Sequence, residues 1–131
     1  MFKYLALTIA VAAGIGAPLQ MGVNTQLRNY VQTPIMSALV SFAGGTVALA
    51  IVVLTGVLGR GQFSGVLHAP WWVLTGGLFG AVYVTAAIVV SPRIGVTTTT
   101  AAIIFGQVVA SLVVDHYGLV GFQRIPISLP R

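Results

Sequence analysis

The side chains able to do chemistry in this chain fall mostly into two series. Counting by fours from Gly16 reaches Gln20, Asn24 and Arg28; a second run gives Gln107, Ser111 and Asp115, with Thr100 seven residues before Gln107. Residues four apart share one face of a helix, so the spacing predicts two polar stripes. Their amides and hydroxyls can hold a solute by hydrogen bonds, Gln20 and Asn24 from the first stripe, Gln107 and Ser111 from the second. Both stripes interrupt strongly apolar sequence, where a polar side chain marks a site by default. Helix packing is the competing reading, since amides bond across helices and the nearby Gly14, Gly16 and Gly22 allow close approach. Sequence leaves both open. Pro18 lies amid the first series. It withdraws a backbone donor and is expected to break the helix, which hydrocarbon tolerates only against protein or a wet cavity.

Much chemistry is excluded. Asp115 is the one carboxylate, so paired acid and base work is not available, and His68 and His116 lie far apart in loop or end positions. Ser37, Ser41 and Ser111 have no base on their own face apart from Asp115 beside Ser111. The absence of Cys removes any thiolate metal site, thiol nucleophile or disulfide. No glycine-rich phosphate loop follows a strand, so ATP is not expected to supply energy. No catalytic residue, metal or cofactor is therefore expected. Asp115 either faces the membrane interface, paired with His116 or capping backbone groups, or binds a proton or cation whose occupancy is coupled to a solute. Tyr83 places a hydroxyl at mid-span, bonded to a neighbouring helix or turned to a cavity.

The elements that must position these groups are membrane helices. Of 131 residues 57% are hydrophobic and 5% charged, and the mean hydropathy is +1.02, outside the range of soluble domains. At ~20 residues per span, the expectation is an all-α integral membrane protein. It would be a single transmembrane domain of four helices forming two hairpins, with spans at about 4–28, 35–58, 71–90 and 96–115 and a loop-like tail over 116–131. Thr33-Pro34 favours an extended residue followed by a helix start. Ser37, Ser41 and Gly45 form a small-residue ridge on the second span, and Gly76, Gly77 and Gly80 a close-packing face on the third. Gly59–Pro70 reads as the longest polar loop, holding His68, and Trp71 and Trp72 as an interfacial anchor. Ser91-Pro92-Arg93-Ile94-Gly95 is expected to break the chain before the threonines at 97 to 100. A weak repeat relates Phe42–Ala48 to Ile103–Val109. The net charge of +5 is spread one residue per loop or end, which does not make a nucleic-acid footprint. Lys3, Arg60, Arg124 and Arg131 lie on one side and Arg28 and Arg93 on the other; this favours termini inside so weakly that insertion both ways is permitted. Nothing at the start reads as a cleavable signal.

Three motifs in order, Gly-Ala-Pro-Leu-Gln-Met-Gly-Val-Asn-Thr-Gln-Leu-Arg (16–28), Ser-Pro-Arg-Ile-Gly (91–95) and Gly-Gln-Val-Val-Ala-Ser-Leu-Val-Val-Asp-His-Tyr-Gly-Leu-Val-Gly (106–121), resemble the small YdcZ-like branch of the drug/metabolite transporter superfamily. The resemblance implies a multi-pass protein of the bacterial inner membrane, of half-transporter size, working as a pair of chains. It also implies that the Pro18/Gln20/Asn24 and Gln107/Asp115 faces line a shared pathway. The partners expected are the lipid bilayer, a small-molecule solute, and a second copy or homologous chain, parallel or inverted. The branch usually continues into a fifth helix after Arg-Ile-Pro-Ile-Ser (124–128), which this chain is expected to lack. The related small multidrug resistance proteins use a Glu in their first helix; positions 4–28 hold no acid, so that coupling scheme does not carry over. The first functional reading is a secondary transporter or exporter of a small solute. The second is a non-transporting membrane subunit packed against a larger partner.

Overall fold

Four long apolar stretches with few charges can satisfy their backbone groups in lipid only as helices, and the chain folds accordingly. The structure, a computed structural model, describes residues 2–59 and 61–128. Helix α1 spans Phe2–Val31 and α2 Pro34–Thr55; a short α3 spans Ser64–His68; α4 spans Gly76–Ile94 and α5 Val96–Tyr117. All but α3 are long and apolar enough to cross a membrane. Arg60 and Arg131, two of the charges used to weigh orientation, lie outside the described residues.

Local chemistry sets the joints. Thr33 is extended (φ −129°, ψ 143°), its hydroxyl accepts the Met36 N–H at 3.1 Å, and Pro34 opens α2 where its missing donor costs nothing. Gln32 just before it sits at φ +67°. Gly56 (φ +66°) and Gly118 (φ +64°) end α2 and α5 in the left-handed region that glycine adopts without strain.

Three boundaries differ from the sequence-based expectation. Pro18 does not break its helix: α1 runs through it without interruption, at the cost of the one backbone donor that proline lacks. Ser91-Pro92 does not end the third span either, since α4 continues to Ile94 and turns at Gly95 (φ +86°). The expected 59–70 loop contains α3, followed by a 3-10 turn over Trp71–Thr75 in which the two tryptophans sit.

Helices α1 and α4 form the inner, parallel pair: Met21 and Asn24 lie near Val84 and Ala87, and Thr25 near Ser91. Helix α2 packs on both from one side and α5 on both from the other, while α2 and α5 do not meet. Burial is one-sided along the bundle axis. Every buried side chain among the described residues lies in the half nearest the two tight turns: Met21 and Asn24, Ser37 and Ala38, Val84, Ala87, Ile88 and Ser91, and Thr99. In the other half α1 is exposed over residues 3–16 and α2 over residues 42–55. Apolar side chains need no protein cover where lipid is the solvent. Of the glycine face on α4, only Gly80 meets a neighbour, with an added Cβ falling 3.3 Å from Phe42 Cζ; Gly76, Gly77 and Gly45 face open space. Of the ridge on α2, Ser37 is the fully buried member.

Candidate functional site

At the packed end, hydroxyls join the helices. Ser37 Oγ donates to the Asn24 carbonyl at 2.6 Å, and Thr25 Oγ1 lies 3.2 Å from Ser91 Oγ. Thr99 bonds back to the Gly95 carbonyl at 2.8 Å, closing the start of α5. These contacts hold α1, α2 and α4 together just beyond a set of cavities at mid-helix.

Two of those cavities lie against α1. The larger, about 90 Å³, is lined by Gly14 and Pro18 of α1, Tyr83 of α4, and Thr100 and Gln107 of α5. Pro18 cannot donate to the Gly14 carbonyl one turn back, so an acceptor without its helical donor belongs to this wall. The smaller, about 10 Å³, is lined by Gln20, Asn24 and Tyr83; that is about the room one water needs. Ala17, Met21 and Tyr83 wall both. Outside them an open, almost wholly apolar groove of about 780 Å³ runs between α4 and α5, and Tyr83 and Gln107 line it as well. Tyr83 thus stands between the groove and both inner cavities.

Asn24 is 3% exposed. Its Nδ2 and the Thr100 Oγ1 are fully buried and have no hydrogen-bond partner in the described structure. Such groups are costly, about 1–3 kcal/mol each, and in native structures they require a reason.

The structure therefore brings together Gln20, Asn24, Tyr83 and Gln107, with Pro18 in the same wall. It does not bring in Ser111, which lines neither cavity and bonds back to the Val108 carbonyl at 2.9 Å; Gln20 and Gln107 reach the cavities but are otherwise exposed. Asp115 is half-buried near the end of α5, about 12 Å along the axis beyond Gln107. There the tail folds back: Ile125 N–H donates to the Asp115 carbonyl at 2.7 Å, Arg124 Nε to the His116 carbonyl at 3.1 Å, and Ile127 N–H to His116 Nδ1 at 3.2 Å. Thr100 is the lining residue that sequence reasoning left out of the site; its spacing of seven from Gln107 was the available signal.

Four helices of membrane length, packed around small mid-helix cavities with an uncharged lining, define a multi-pass α-helical membrane protein. The chain belongs to the family described as "Putative inner membrane exporter, YdcZ", whose model matches residues 5–131. It is 28% identical over 119 residues to the inner membrane protein YdcZ of Escherichia coli (strain K12), an alignment covering 89% of this chain and 78% of that one. No solved structure matches. The protein is a multi-pass inner-membrane protein of an exporter family, which points to transport rather than catalysis.

Proposed function

We propose that the chain is half of a secondary transporter that exports a small solute, paired with a second copy or a homologous chain, with its polar site at the membrane midplane. The observation that carries this reading is the cavity shared by Pro18, Tyr83 and Gln107, each within about one turn of the middle of its helix. Gln20, Asn24 and Thr100 supply further hydrogen-bonding groups, and rocking of helices about the packed end would expose the site alternately. Asp115, outside the cavity, is the candidate for proton or cation coupling.

The absence of native cysteine gives a direct test. Single substitutions Gln107→Cys, Gln20→Cys and Leu49→Cys are probed with a membrane-impermeant thiol reagent in intact cells and in inside-out vesicles. A transport pathway gives labelling at positions 107 and 20 from at least one side and none at lipid-facing 49. Protection of both site positions from both sides would overturn the reading in favour of a packing subunit.

A further inference from the structure

Asn24 fixes the kind of solute this site can take. Its amide nitrogen is buried without a partner beside a cavity the size of one oxygen atom, and a larger cavity with a second unpartnered donor, Thr100, adjoins it across Met21 and Tyr83. Ser37 Oγ donates to the Asn24 backbone carbonyl at 2.6 Å, which fixes the place of this residue in the cavity wall. The smaller cavity suits a carbonyl oxygen, and the larger one suits a compact apolar body attached to it.

Charge is what the site cannot accept. Gln20, Asn24, Tyr83, Thr100 and Gln107 are all neutral, and the one carboxylate of the chain, Asp115, is about 12 Å further along α5. A cation at Tyr83 would gain only the attraction of the ring face, which does not offset stripping its water with no counter-charge in the walls, so desolvation wins. An anion meets the same penalty, and the arginines Arg28 and Arg93 stand in the last turns of their helices, not in the cavity walls.

Resting on the transport reading above, we propose that the solute is uncharged and carries a carbonyl-type acceptor, which the Asn24 amide receives when α1 and α4 ease apart, while fixed cations and anions are rejected. Three probes of one shape separate these classes: benzamide, benzamidinium and benzoate. Their binding to the full-length protein in lipid nanodiscs is measured by titration calorimetry. Benzamide binds, and both ions bind at least about tenfold more weakly. Asn24→Leu weakens benzamide about tenfold, and Asn24→Asp shifts preference to benzamidinium, a gain that misfolding cannot mimic. Equal binding of either ion to the unsubstituted protein, failure of all three probes to bind, or no change of preference in Asn24→Asp overturns the proposal. If the cavity is still reached by thiol reagents in those cases, transport stands and only the selectivity falls; an unreachable cavity that binds no probe removes both.

Discussion

Gln32 holds the α1–α2 turn in a backbone region that suits glycine. At φ +67° a side chain with a Cβ is strained by about 1–2 kcal/mol, yet its N–H closes the turn on the Arg28 carbonyl at 2.7 Å. Gln32→Gly relieves that strain at some cost in unfolded-chain entropy, so the thermal midpoint in detergent should hold or rise. Gln32→Val, branched at Cβ, should lower the stability by about 1 kcal/mol or more, and the midpoint with it. Equal midpoints for the two variants would count against strain at this turn. At the opposite end of the bundle, Asp115 carries a different expectation. If it couples solute flux to protons, Asp115→Asn abolishes the pH dependence of flux in proteoliposomes; flux that keeps its pH dependence in the variant would remove Asp115 from the mechanism.

At the scale of the helix, the four spans were legible because their apolar runs reach membrane length, and Gln20, Asn24, Tyr83 and Gln107 because polar groups stand out against them. The stripes were less faithful. An α-helix advances about 100° per residue, so a step of four overshoots a full turn by about 40° and two steps by about 80°. Asp115 therefore turns away from Gln107 although both belong to one count by fours. A step of seven drifts by only about 20°, and Thr100 and Gln107 do share a cavity. Four consecutive threonines hide which one points inward: Thr99 bonds to its own helix start and Thr100 does not. The prolines misled for another reason. Pro18 and Pro92 cost hydrogen bonds, but Gly95 supplies the positive φ that ends α4. Contact between α1 and α2 rests in part on one hydroxyl, so Ser37→Ala should lower unfolding stability by about 0.6 kcal/mol, the average for such bonds in membranes, and by no more than about 1.7 kcal/mol. Unfolding in mixed detergent would show whether the loss is that small or the bond is idle.

Across the whole molecule, the feature that organises the rest is burial confined to one end of the bundle. The Thr25–Ser91 contact, 3.2 Å between hydroxyls, closes that end, and it is well placed for a reversible lock. On the proposed rocking, α1 and α4 must shift against each other at this pivot, so in Thr25→Cys/Ser91→Cys oxidation should stop export and a reductant should restore it; undiminished export by the oxidised form would mean that the two helices do not move relative to one another there. The same asymmetry has a mechanical meaning. Helix α2 has 22 residues and is about 33 Å long, so a tilt of about 10° about its packed end carries the far end through roughly 6 Å. On the transport reading proposed above, the packed hydroxyls would act as a fulcrum and the exposed halves as long lever arms, so that a slight rearrangement at a few buried oxygens would be geared up to a movement wide enough to pass a small molecule.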